Sequence, residues 1–237
     1  MLALTLAAGA CDVVTDIVET ADIDGGTSAS PDQQLADDIV LTLDDLPQGF
    51  AVSEDDGEHD DAISSSDEEF EACASSELIA ELDQIDGSDS GGQAESPRFE
   101  SDETLQTVAS IAFVLPDAAL AISFYDMLAG SCFGDAIVSQ LRAEADADVA
   151  ITDVIVEPAA DLPVPADAAS GFTIVLGFVS AGGAPVAGIF DYIVLRQGRA
   201  VAFVVTGGVI DPFPRVALAG LLETMAGRMG GESPPAF

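Results

Sequence analysis

The sequence predicts an α+β fold: an antiparallel sheet of about five strands with helices packed on it, behind a flexible N-terminal leader. Three observations carry that expectation. Residues 171–181, 185–197 and 199–206 are consecutive runs rich in Val, Ile, Phe and Tyr, the side chains that suit a pleated, half-buried surface. The joints between them are short, Gly182-Gly183 ahead of Pro185 and then Gln197-Gly198, both with turn chemistry. Upstream, apolar residues at helical spacing alternate with two further strand-like runs, the pattern of a helix-covered antiparallel sheet.

In the ribbon, side-chain alternation sorts the residues onto two faces. With tight turns at both joints, one face carries Phe172, Ile174, Leu176 and Phe178 with Ile189, Ile193 and Leu195. The other carries Val175 and Val179 with Phe190, Tyr192, Val194, Val201, Phe203 and Val205. Both faces are apolar, so neither can be left in open water. One needs a helical layer; the other needs more helix, a partner or a ligand.

The remaining elements follow in chain order. Residues 1–11 form a short apolar run ending Ala8-Gly9-Ala10-Cys11, too short to span a bilayer and reading as the end of a secretory signal. Its last four residues resemble a bacterial lipobox, after which Cys11 is lipidated and anchors the chain to the membrane. Residues 12–34 are acidic and rich in Gly, Ser and Thr, the composition of a tether. A single domain is expected over 35–230 and a tail over 231–237. Residues 39–52, with Leu46-Pro-Gln-Gly-Phe50, read as an entry element, and 53–66 as an acidic loop. Ser66-x-x-Glu69 is a capping box that starts a helix running to about Ile85. A loop over 86–96, a strand over 105–115, helices over 118–129 and 135–145 separated by a break at 130–134, and a strand over 149–156 come next. A Pro-rich connection over 159–169 leads into the ribbon, and a helix over 214–229 ends the domain.

Charge excludes more than it assigns. The 237 residues carry 43 acids, six arginines, one histidine and no lysine, a formal charge of -37. Such a surface repels phosphate backbones, so nucleic acid is not the expected partner. Its self-repulsion is screened at about 0.15 M salt and above, which points to a saline habitat; a melting temperature flat in added salt would refute this. Without lysine there is no phosphate-loop lysine, Schiff base or lysine general base.

The cysteines are more informative. With Cys11 at the anchor, Cys73 and Cys132 remain, and an exported chain oxidises a matched pair. A disulfide stapling two helices is expected. Gly130-Ser-Cys-Phe-Gly134 imitates a hydrolase elbow, but helix precedes it and the sole histidine, His59, lies far upstream. His59 reads as a solvated loop residue, and the acidic clusters Asp22-Ile-Asp24-Gly25 and Asp55-Asp56-Gly57 lack a complete calcium-loop pattern. No metal and no cofactor are expected. Asp191 interrupts an apolar strand between Phe190 and Tyr192, with Arg196 and Arg199 beside the next turn. An acid there is costly unless paired or wetted, so it marks either a polar spot in a ligand site or a pair with a nearby arginine. Val175, Asp191, Tyr192, Arg196 and Phe203 form the candidate ligand face.

The order of these elements resembles a family of actinobacterial envelope lipoproteins and the extracellular sensor domains of mycobacterial-type receptor Ser/Thr kinases. The lipobox cysteine, the Leu46-Pro-Gln-Gly-Phe50 entry, the cysteine on the first helix, the later second cysteine and Tyr192-Ile-Val-Leu-Arg-Gln-Gly-Arg-Ala-Val201 carry the resemblance. It implies a helix-flanked antiparallel sheet with a cleft for a small envelope ligand. The expected protein is therefore a non-enzymatic, lipid-anchored extracytoplasmic domain that binds a small apolar or amphipathic molecule or a partner protein. A structural or interaction lipoprotein without a ligand cavity is the first alternative, and a carboxylate-based hydrolase the second.

Overall fold

The computed structural model describes residues 30–53, 73–86, 91–143, 150–159, 164–179 and 184–230. Cys11, most of the tether, His59 and both acidic Asp-Gly clusters lie outside these. The described chain is α+β, with an antiparallel sheet of eight strands rather than about five. In chain order the strands are β1 (Ala51–Val52), β2 (Gly92–Glu95), β3 (Phe99–Ser101), β4 (Gln106–Val114), β5 (Ala150–Pro158), β6 (Ala168–Val179), β7 (Pro185–Gln197) and β8 (Ala200–Val209). Their spatial order is β1-β3-β4-β8-β7-β6-β5, with β2 also on β4. The helices are α1 (Pro31–Ile39), α2 (Ser76–Asp86), α3 (Ala118–Leu128), α4 (Ser131–Ala143) and α5 (Arg215–Met229).

The extra strands are the two-residue β1, at the end of the expected entry element, and β2 and β3 from residues 91–101, whose first part reads from sequence as loop. β2 and β3 both run antiparallel to β4 and are separated at Pro97, which has no N–H to donate to the ladder; β1 pairs with the far side of β3. Ser96 bridges the break: its N–H donates to the Ser110 carbonyl at 2.8 Å and its Oγ accepts from the Ser110 N–H at 2.9 Å.

α1 replaces the end of the expected tether. Ser30 caps it by accepting from the Gln33 N–H at 3.0 Å, and Pro31 sits in the first turn, where a missing N–H is harmless. Arg199, from the β7–β8 turn, holds it with bonds of 3.1 and 2.8 Å to the two Asp32 carboxylate oxygens. The Arg199 hydrogen bond keeps the Asp32 carboxyl below its ordinary value, against the opposing effect of burial. A depressed carboxyl stabilises the fold above the ordinary carboxyl range, and that contribution is lost as pH falls through the folded value, below 3.8.

α2 starts at Ser76, later than the capping box suggests, with the Ser75 hydroxyl accepting from the Leu78 N–H at 3.1 Å. Residues 66–72 lie outside the described residues. Asp117 caps α3 through bonds from the Ala119 and Leu120 N–H groups, and α4 begins directly at Ser131, so the expected five-residue break shrinks to Ala129-Gly130. Cys73 and Cys132 form a disulfide, S–S 2.03 Å, tying the approach to α2 to the first turn of α4.

The face assignment of the ribbon is corrected by register. Val179 pairs with Pro185, so residues 180–184 connect β6 to β7 and Phe172 stands opposite Tyr192, not beside Ile193. A connection of odd length reverses the parity that a two-residue turn gives, which moves all of β6 to the other face. The β7–β8 turn is the expected tight one: Gln197 pairs with Ala200, and Gly198 takes φ 58°.

One face therefore gathers Phe172, Ile174, Leu176, Phe178, Phe190, Tyr192, Val194, Val201, Phe203 and Val205 under α3 and α4, with α2 beyond. Phe172 stacks on Tyr192 at 5.3 Å and Phe133 of α4 meets Phe203 edge-on at 5.8 Å. The other face sets Ile193, Leu195, Ala202, Val204, Val108 and Ala112 against Ile39, Leu41, Phe213, Leu218, Leu222 and Met225 of the α1–α5 layer.

Candidate functional site

The second face is covered over only part of its width. α1 packs on β2 and β4, and α5 on β7 and β8. Toward β5 and β6 the same face presents Ile155, 46% exposed, with Val175 and Ile189 half-buried. These three form one cross-strand row, Ile155 opposite Val175 and Val175 opposite Ile189.

The neighbouring row is polar. Glu157, Thr173, Asp191 and Thr206 follow one another across β5, β6, β7 and β8. Asp191 is only 1% exposed, so its carboxylate needs partners. The Thr173 hydroxyl donates to its Oδ1, and Arg215 Nη1 lies 3.1 Å from the same oxygen. The Thr206 hydroxyl, fully buried, finds no partner among the described residues.

Arg215 arrives from the first turn of α5. A β-carbon at Gly208 would collide with the Asp211 carbonyl, so only glycine lets the chain fold back tightly enough after β8 to start α5 over β7. A cation in the first turn of a helix opposes the macrodipole, and Pro214 offers no side-chain cap; Asp191 is what offsets that placement. Among the paired arginines Arg215 is the most exposed, 51% against 41% for Arg199 and 17% or less for the others. Its Nη1 lies 3.1 Å from Asp191 while half of its side chain remains open to solvent.

Two apolar residues close to this arginine along the chain are exposed. Val216 is 88% exposed and Ile210 68%. Ile210 adopts φ 78°, a strained backbone for a β-branched residue, and its N–H donates to the Ala187 carbonyl at 2.9 Å. The arrangement is a shallow apolar shelf with one buried, arginine-bound carboxylate at its inner wall.

The structure divides the five residues of the expected ligand face. Val175 and Asp191 lie on the shelf side. Tyr192 and Phe203, at 0% and 1% exposure, are packed under α3 and α4 on the opposite face. Arg196 is on that opposite face as well, opposite Ala168, and pairs at 3.5 Å with Asp167. The arginine beside Asp191 is neither Arg196 nor Arg199 but Arg215. Sequence reasoning missed Arg215, Thr173, Thr206 and Ile155; the one available signal was an arginine placed against the dipole of the last helix. No family model, curated protein or solved structure matches the chain.

Proposed function

We propose that this domain binds a small amphipathic molecule on the half-open face, at the cell envelope, where a lipid on Cys11 tethers it. The ligand's apolar part lies along Ile155, Val175 and Ile189. Its polar end meets the outward side of the Arg215 guanidinium, which favours an anionic head group. The observation that carries this reading is the buried Asp191 carboxylate, oriented by Thr173 and holding Arg215 at the border of exposed apolar surface.

A dansyl-labelled undecanoic acid titrated into the domain should bind saturably. Arg215→Ala should weaken it roughly tenfold or more, the worth of one charge-assisted hydrogen bond. Tyr192→Phe, on the far face, should leave affinity unchanged. Equal affinity of the Arg215→Ala protein would sink the assignment. Loss of incorporated labelled fatty acid in Cys11→Ala tests the anchor. The second reading, an interaction lipoprotein, draws support from the packed state of Tyr192 and Phe203, which fills the aromatic half of the expected ligand face.

A further inference from the structure

Among the described residues β5 ends the sheet and pairs only with β6. An open edge offers a row of N–H and C=O groups to any extended chain, and most proteins block it. Here the edge is exposed over most of its length: Ile155 is 46% and Val156 42% exposed, and Thr152, Asp153, Glu157 and Pro158 are exposed as well.

The direction of the free groups follows from one hydrogen bond. The Val154 N–H donates to the Asp153 Oδ1 at 3.0 Å rather than to β6. Alternate residues of an antiparallel strand point their backbone groups the same way, so Val154 and Val156 face outward while Asp153, Ile155 and Glu157 pair inward. Irregularities bound the usable stretch. Thr152 is extra in the register between Ile151 and Asp153, and Pro158 lacks an N–H.

On the shelf side of this window the side chains run Asp153, Ile155, Glu157: acid, apolar, acid. A second copy of the chain paired antiparallel about Ile155 would set Asp153 against Glu157, and like charges opposite one another repel. The edge thus selects against itself. It fits the complementary order, a cation, an apolar residue and a cation at alternate positions, and the -37 charge of the whole chain draws such a segment in.

The geometry points to β5 as a docking edge for an extended segment of a partner protein whose alternate residues are basic, apolar and basic, added as a further strand. The incoming backbone bonds to Val154 and Val156 and displaces the Asp153 carboxylate from the Val154 N–H. The freed carboxylate and Glu157 then face the partner's cations. The shelf ligand uses the face of the sheet; this partner uses its edge, and the two share only Ile155.

The test uses the whole domain and a fluorescein-labelled synthetic peptide of repeating Lys-Thr-Ile-Thr sequence, read by anisotropy. Saturable binding that weakens as salt rises is expected. Val156→Pro removes an outward donor without touching the β6 ladder, and should weaken the peptide about fivefold or more, as loss of a backbone bond does. The pair Asp153→Asn and Glu157→Gln should weaken it similarly and reduce the salt dependence, the remainder coming from the charge of the whole chain. Dansyl undecanoic acid binding should survive Val156→Pro, which separates this site from the shelf. Because proline could unfold the strand, amide exchange at Val154 and Val156 in the unaltered protein gives a second readout, slowed when peptide is added. A scrambled peptide of equal composition binding as tightly, no binding at millimolar peptide, or unchanged exchange at both valines would each overturn the assignment.

Discussion

Replacing Cys73 and Cys132 together by serine should lower stability by roughly 4 kcal/mol. The bond closes a loop with a sequence separation of 59, and loop-closure entropy for that length gives about this value before any native strain is subtracted. The loss should also be local. α2 touches the rest of the fold chiefly through α3. Leu78 is buried, and Cys73, Ala74 and Leu82 pack partly buried beside it. Without the covalent tie, that small contact must hold the helix alone. Urea titration of the oxidised protein and the double variant measures the total. Hydrogen exchange should show residues 73–86 opening first. Equal midpoints and unchanged exchange in α2 would mean that packing alone holds it.

Phe203→Ala should cost about 3–5 kcal/mol, the range for an aromatic removed from a core. Its ring meets Phe133 at 5.8 Å and Tyr192 at 6.0 Å, and it is 1% exposed at the centre of the aromatic cluster. A residue lining an open ligand site would instead leave the fold intact and weaken binding alone. Val216→Ala is the contrast, expected within about 0.5 kcal/mol of the parent because its side chain packs on little. Thermal and urea denaturation of the two variants decide the matter. A Phe203→Ala protein as stable as its parent would return that residue to a surface role.

The strands of the ribbon, the two central helices and the cysteine pair were legible because each rests on local chemistry. Val, Ile and Tyr runs, apolar residues at helical spacing and the Gln197-Gly198 turn act over a few residues. The face of β6 was not legible in the same way. It depends on whether an odd or an even number of residues joins Val179 to Pro185, and Gly182-Gly183 permits either. α1 was hidden by its polarity: only Ala36 and Ile39 of the helix are buried, so Pro31–Ile39 shows too little periodic apolar character, although Ser30-Pro31 is a helix-start signal. β2 and β3 were hidden by Pro97, which reads as loop and proves to be a break between two strands paired to β4. Asp191 was legible as an acid in need of a partner. Its partner was not, because Arg215 is brought to it by the fold-back after Gly208.

Among the described residues the first and last helices fasten to each other. Arg228, near the end of α5, donates to the Val40 carbonyl at 2.9 Å and grips Asp45 at 2.7 Å, across sequence separations of 188 and 183. Contacts so remote along the chain form late, since the entropy of closing the intervening loop must be met first. During synthesis α1 and the strands it packs on, β2 and β4, emerge long before Arg199 and Arg228, so its charged anchors are the last of its contacts to arrive. A nascent chain cut short before α5 would leave the apolar floor of Ile193, Leu195 and Val204 without its α5 cover.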